Sequence, residues 1–304
     1  MKNVLLGKAL AIAAIVLLLL LGLGHIADLV DERSQRQQEA QWSVEQGQAG
    51  RQTLLGPVLL RSCTEEWDAP VGEGAQRKLV TSKREMLLAA VPDDLVLQAD
   101  AAQEARYRGL FKVNSYAARV QLQARWGHLA ALEPRAEQAG SRLHCQAPIL
   151  MVALTDARGI RVAQVQADGQ RLDVQAGTGH PAYTRGFHAV LPAAPAAGPV
   201  SADVTLELVG TTEFSLAPVA RHTQAELRSD WPHPSFGGRF LPALREVDDS
   251  GFRAEWRVSS LATSAPAEVL RGVPLCASSQ PVGHEREGGC VEACGVSFID
   301  PVNP

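Results

Sequence analysis

The sequence predicts a mainly β protein, an antiparallel β-sandwich or two β lobes, tethered to one N-terminal transmembrane helix. Three observations favour this fold class: an apolar run at the N-terminus, period-two alternation in several later segments, and connectors rich in Pro, Gly and Ala. The predicted domains are a transmembrane anchor over 1–24, a membrane-proximal helix over 25–50 and an exported β-rich domain over 51–304.

The anchor is predicted from the run Val4 to Gly24, which is apolar except for Lys8. About 20 apolar residues in a helix span the hydrocarbon core of a bilayer. A cleavable signal peptide is the alternative, but Gly22 and Gly24 offer only a weak cleavage site. Lys2 precedes the run, Lys8 lies near its start, and three acidic residues follow it closely. The positive-inside rule therefore predicts a cytoplasmic N-terminus and an exported main domain, which in a Gram-negative cell lies in the periplasm.

The β-rich domain is predicted from alternating apolar and polar residues, which give each strand one buried and one wet face. Long helical patterns are absent after about residue 50, although "EARYRG" and "WGHLAALEPRAEQAG" are candidates for short helices. The alternating segments are "VQLQARW", "VTLELV", "TQAELRS" and "FRAEWRV", the last of them preceded by the turn "DDSG".

Composition argues against a nucleic-acid partner. The formal net charge is −4 and the isoelectric point is near 6.1, and no basic stripe is visible. The partners that the sequence predicts are the lipid bilayer and other envelope proteins.

The five cysteines predict neither a metal nor a cofactor. "CVEAC" would need two further ligands for zinc, and only His284 lies nearby. A disulfide closing the loop from Cys276 to Cys290 and free thiols are both compatible with the spacing, and an odd count leaves at least one thiol unpaired. The pairing stays open among Cys63, Cys145, Cys276, Cys290 and Cys294.

The stretch "SDWPHPSFGGRFLP", Ser229 to Pro242, has the residue types of an active-site loop. However, Ser235 lacks the G-x-S-x-G context of a serine nucleophile, and prolines on both sides of His233 restrict its approach to Ser235. Trp231 and Phe236 offer large buried area. We interpret the loop as scaffold, with Trp231, His233, Ser235 and Phe236 as candidate binding residues.

Arg106 and Arg108 are the other binding candidates, because on a strand they would share a face and could hold a carboxylate or phosphate. Paired surface charges are the simpler interpretation. No two histidines have the spacing of a helical metal site. No catalytic residue is predicted, and the sequence favours a non-enzymatic protein.

One long segment resembles a known family. "SDWPHPSFGGRFLPALREVDDSGFRAEWRV" is similar to the signature region of the CreD family of inner-membrane, cell-envelope integrity proteins. "QTLLGPVLL", "LTDARGI", "VTLELVGTTEFSLAP" and the segment from Val91 to Trp126 follow in family order, so the resemblance covers nearly the whole chain. Ala220, Cys294 and "SSLATSAP" depart from the family pattern, which puts the packing of the last strands in question.

The resemblance implies an N-terminal membrane helix, an exported β-rich region and several C-terminal membrane helices. The chain stops at "GVSFIDPVNP", about where the family enters that second membrane block, so either a truncated gene or an N-terminal part is expected. The resemblance also implies a role in envelope maintenance, linked to a two-component stress regulon and to responses to β-lactams and colicins. It brings no catalytic residues.

Two functional hypotheses follow. The first is a membrane-tethered, non-enzymatic envelope protein whose β domain binds a partner or an envelope component. The alternative is an exported envelope-modifying enzyme with an unrecognised site around Arg106, Arg108 and His233.

Overall fold

The computed structural model describes residues 2–47, 49–71, 78–108, 111–192, 198–275 and 290–298. The chain divides into two compact units. Unit 1 consists of Met1–Gly47 and Arg106–Val113, and unit 2 of Gln48–Ala105 and Asn114–Pro304.

Unit 1 is dominated by one long helix, α1 (Lys2–Gly47). Its apolar side chains from Ile15 to Leu23 are largely exposed. By length and mean hydropathy, no helix in the described part of the chain qualifies as a membrane span.

Unit 2 is built from strands that form two sheets. Sheet A has the order β14-β17-β12-β1-β6-β10-β9, with β2 and β5 also paired to β1, and sheet B has the order β15-β16-β13-β3-β4-β11-β7-β8. The bounds are β1 (Gln52–Val71), β2 (Lys78–Ala90), β3 (Asp94–Arg108), β4 (Phe111–Trp126), β5 (Arg142–Cys145), β6 (Ile149–Leu154), β7 (Ile160–Ala167), β8 (Gln170–Leu172), β9 (Val174–Ala176), β10 (Gly186–Val190), β11 (Val200–Thr211), β12 (Glu213–Leu216), β13 (His222–Ser229), β14 (Ser235–Gly238), β15 (Leu244–Asp248), β16 (Gly251–Ser259) and β17 (Cys294–Ser297). A short helix, α2 (Ala265–Leu270), follows β16.

Sheet B follows the alternation that the sequence shows. Along β11 every second side chain from Val200 to Leu208 is buried, and the residues between them face outward. β4 pairs with β11 in antiparallel register, with Trp126 opposite Val200 and Ser115 opposite Thr211. The inward side chains of both sheets form one hydrophobic core, as in a two-layer sandwich. The predicted mainly β sandwich with one N-terminal helix is confirmed.

Two details differ from the sequence prediction. The sandwich contains parallel pairs, β1 with β12 and β3 with β13, among its antiparallel ones. Residues 104–108 of "EARYRG" belong to β3 rather than to a helix. Within 126–140 the helical residues are a single 3-10 turn, Ala130–Leu132. Extended pairing within the sheet overrides the weak local helix signal in the first segment.

The chain crosses from sheet B to sheet A at Thr212, between β11 and β12. Thr212 has a φ of +56°, a left-handed conformation that turns the strand direction sharply. Beside this corner the Tyr116 hydroxyl donates to the backbone carbonyl of Glu213 at 2.7 Å. Burial raises the pKa of Tyr116 well above its ordinary value, so the phenol stays a donor.

A buried carboxylate fixes the loop that precedes β5. Glu65 accepts hydrogen bonds from the Ser141 hydroxyl at 2.7 Å and from the backbone N–H groups of Gln138 and Glu137, and it pairs with Arg84 at 2.9 Å. These donors, the Ser141 hydroxyl first, hold the pKa of Glu65 below its ordinary value. The loop is therefore tied to β1 by a charged group that is fully satisfied.

Candidate functional site

A concavity lies on the outer face of sheet B, and we call it the outer groove. Its volume is about 620 Å³, within the range typical of ligand pockets. Ala102, Ala117 and Val209 line it from three adjacent strands, β3, β4 and β11. Because these outward side chains are small, the surface is depressed there and its floor is apolar.

A row of charged side chains runs along one side of the floor. Strand register places Arg228 opposite Asp100, and Arg119 opposite Glu207. Together with Arg161 on β7, charges of alternating sign line the groove from β13 to β7. Arg119 and Glu207 form a cross-strand ion pair at 3.2 Å and neutralise each other.

The charges at the two ends of the groove are not neutralised in this way. The Asp100 carboxylate and the Arg161 guanidinium, both exposed, have no ion-pair or hydrogen-bond partner among the described residues. Asp230, beside Asp100, accepts a hydrogen bond from the backbone N–H of Gln103 at 2.8 Å but has no cationic partner there. The β3–β13 end thus carries two carboxylates with Arg228 beside them, and the β7 end carries the Arg161 guanidinium.

Arg228 belongs to an ion-pair network that continues beyond the groove. Its Nε donates to Glu226 at 2.6 Å, and Glu226 also accepts from Arg253 at 3.0 Å. The hydrogen bond from Arg253 is the main reason that the pKa of Glu226 is lowered. Arg253 also pairs with Glu255 at 2.6 Å. Arg228 is therefore held in place, and its charge is paired with that of Glu226.

The hydroxyl groups in the groove are engaged in turns. Ser229 accepts from the backbone N–H of Trp231 at 3.2 Å, and the Ser250 hydroxyl donates to Asp248 at 2.5 Å. Neither serine is paired with a histidine, and the lining residues include no His or Cys. The arrangement is suited to holding a ligand and offers no nucleophile–base pair.

The loop predicted as scaffold packs into unit 2 through its aromatic residues. Trp231 is buried, and its Nε1 donates to the carbonyl of His233 at 2.7 Å. Phe236 contacts Phe252 and Trp256 edge to face, with ring centroids 5.6 and 5.9 Å apart. The candidate binding residues Trp231 and Phe236 therefore belong to the packed interior and its margin.

His233 and Ser235 are exposed on the same loop. No hydrogen bond joins them, and neither lines the outer groove. Ser235 begins β14, whose four residues pair with β17. The first two residues of the loop, Ser229 and Asp230, do line the groove.

Arg106 and Arg108 lie two residues apart at the end of β3. The backbone geometry thus places them on one face of the strand, as the sequence suggested. Arg106 is exposed, and the side chain of Arg108 lies outside the description. Both belong to unit 1, whereas His233 belongs to unit 2.

Two disulfides involve described cysteines. Cys63 on β1 is bonded to Cys145 on β5, a pairing that the sequence left open. Cys290 is also disulfide-bonded. Cys276, one candidate partner for it, lies outside the described residues. Cys294 is a buried free thiol, and burial raises its pKa to about 12. Among the described residues, no three His, Cys, Asp or Glu side chains lie close enough together to bind a metal ion.

The architecture defines a helix-tethered β-sandwich protein with a charged groove on one face. The chain belongs to the CreD family: the family model "Inner membrane protein CreD" matches residues 4–304. The chain is 29% identical to inner membrane protein CreD of Escherichia coli K12 over 274 residues, 90% of its own length and 59% of that protein's. It is thus a family member that spans about three-fifths of this curated relative.

Solved structures give only remote similarities. A Legionella pneumophila protein provisionally described as nutrient-binding shares 6% identity, with a TM-score of 0.36 over 60% of this chain and 70% of that one. The M1 zinc metallopeptidase of Deinococcus radiodurans shares 9% identity, with a TM-score of 0.30 over 68% of this chain and 42% of that one. At these scores the similarities carry no argument about fold or function.

Proposed function

We propose that the chain is a membrane-anchored, non-enzymatic cell-envelope integrity protein of the CreD type. Its N-terminus is cytoplasmic, its β domain is periplasmic, and the outer groove binds a partner or an envelope component. The outer groove is the observation that carries this proposal: a cavity of about 620 Å³ with an apolar floor and exposed charges at its two ends.

The non-enzymatic part of the proposal is supported by the chemistry of the described groups. The groove has no His or Cys, and its two serines are engaged in turns. The free thiol Cys294 is a poor nucleophile, because only the thiolate reacts and its pKa is about 12.

The topology is supported by the charge pattern at the N-terminus and by the exposed apolar side chains of α1 between Ile15 and Leu23. Alkaline phosphatase fused after residue 304 tests it, because this enzyme folds only where disulfides form. Active fusions in growing cells support the periplasmic assignment, and activity of a cytoplasmic reporter at the same junction contradicts it.

Filling the groove tests the binding role. Ala117→Trp places a bulky side chain on the outward floor of β4, and Gln121→Trp places the same side chain on the outward face of that strand beyond the groove. In cells lacking the endogenous protein, the Gln121 variant should restore the envelope responses to β-lactams and colicins that the family resemblance implies, whereas the Ala117 variant should fail. Equal membrane levels of both variants are the control for folding. Full restoration of the envelope responses by Ala117→Trp would show that the groove is not needed for the function.

A further inference from the structure

The ends of the outer groove carry opposite charges, and their spacing limits what can bind. Asp100 and Asp230 lie at the β3–β13 end, where Arg228 is paired with Glu226, and Arg161 lies on β7. Three strand spacings of about 4.8 Å separate β3 from β7, so the two ends are about 14 Å apart.

An extended peptide rises about 3.3 Å per residue, so four residues bridge this distance between their terminal groups. The α-ammonium group of such a peptide is complementary to Asp100 and Asp230, and its α-carboxylate is complementary to the guanidinium of Arg161. The small residues Ala102 and Ala117 between the two ends leave room for apolar side chains.

We propose that the outer groove binds a short peptide of about four residues with free termini, its ammonium end at Asp100 and its carboxylate at Arg161. This inference rests on the proposed binding function and names the occupant of that site. The central ion pair of Arg119 with Glu207 is already neutralised, so the interior of the peptide needs no charge. Apolar side chains over the floor supply the remaining contact.

The test uses the purified full chain in a mild detergent and the tetrapeptide Ala-Leu-Ala-Ala, by isothermal titration calorimetry. N-acetylation or C-amidation should each weaken binding about fivefold, the loss expected of one exposed charge contact. A dipeptide, which cannot reach both ends, should bind no better than the doubly blocked tetrapeptide.

Two variants assign each terminus to its residue. Asp100→Asn should weaken binding of the free peptide about fivefold and leave the affinity for the N-acetylated peptide unchanged. Arg161→Gln should weaken binding of the free peptide about fivefold and leave the affinity for the C-amidated peptide unchanged. Asp203→Asn and Arg171→Gln are the matched controls, because both are exposed residues of sheet B outside the groove. They should bind every peptide as the parent does.

The outcomes separate this inference from the proposed function. Equal affinity for free and blocked peptides, or a loss in Arg161→Gln that persists with the amidated peptide, overturns the peptide assignment. Binding of lipid vesicles or of a second copy of the chain in place of the peptide also overturns it, while leaving a binding role for the groove. Restoration of the envelope responses by Ala117→Trp contradicts the proposed function of the groove. The peptide affinities from calorimetry do not depend on that result.

Discussion

Trp231→Ala should lower the free energy of unfolding, because it removes a packed side chain from the loop that we interpret as scaffold. The Trp231 side chain is 5% exposed and lies in the hydrophobic core. Burial of an aromatic side chain removes about 150–250 Å² from water, which at about 25 cal/mol per Å² contributes about 4–6 kcal/mol. Such sums are upper bounds, and buried Trp→Ala changes cost about 3–5 kcal/mol, so we expect about 4 kcal/mol.

The hydrogen bond to the His233 carbonyl adds little to this cost, because His233 is exposed and water can replace the indole donor. Urea unfolding of the purified chain, followed by far-ultraviolet circular dichroism, measures the loss. His233→Ala and Ser235→Ala are the matched controls, and the unfolding free energy of each should stay within about 0.5 kcal/mol of that of the parent protein.

Either of two results would refute the scaffold interpretation of this loop. One is a loss below about 1 kcal/mol in Trp231→Ala, which would mean that the side chain is not packed as described. The other is an envelope defect in His233→Ala or Ser235→Ala at unchanged unfolding free energy, which would indicate a chemical role for the loop.

Three further perturbations test the packing of sheet A. Removal of the 82-residue cross-link in the Cys63→Ala/Cys145→Ala variant should lower the unfolding free energy by about 4.5 kcal/mol on chain-entropy grounds, and an unchanged urea midpoint would refute this. Glu65→Gln should lower the free energy of unfolding above the ordinary carboxyl pKa of about 4.3, because the hydrogen bonds that depress the pKa of Glu65 stabilise the fold there. This contribution is lost as the pH falls through the folded-state pKa. Urea titrations from pH 7 to 3 should therefore show the stabilities of the two proteins converging in acid. Gly238→Ala should weaken the pairing of β14 with β17, since φ is +85° and a Cβ would overlap the carbonyl oxygen of Ala293; hydrogen exchange at the β17 amides should rise, and unchanged protection would contradict the argument.

The fold class was predictable from sequence because the strands of sheet B have one wet face. β11 and β16 alternate visibly, and the turn before Gly251 stands where "DDSG" predicts it. The first half of β1 is different: residues 52–60 are buried on both faces, so no alternation marks the strand. The disulfide between Cys63 on β1 and Cys145 on β5 was likewise not predictable, because the two cysteines are 82 positions apart.

The outer groove was not predictable in the same way. Its floor consists of two alanines and a valine from three strands, and its end charges come from positions 100, 161 and 230. Exposed Asp and Arg are ordinary surface residues until strand order brings them together. The one available signal was the unusual stretch after Arg228, whose first residues, Ser229 and Asp230, line the groove although its aromatic residues do not.

The position of β1 in sheet A has a mechanical consequence. This strand follows the N-terminal helix after four residues, and it pairs with four others, β2, β5, β6 and β12. A tensile load applied along its axis through residue 51 would act on several ladders in shear, so their hydrogen bonds would have to break together rather than one by one. Pulling on the chain at residue 51 should therefore require more force than peeling the edge strand β15 from sheet B.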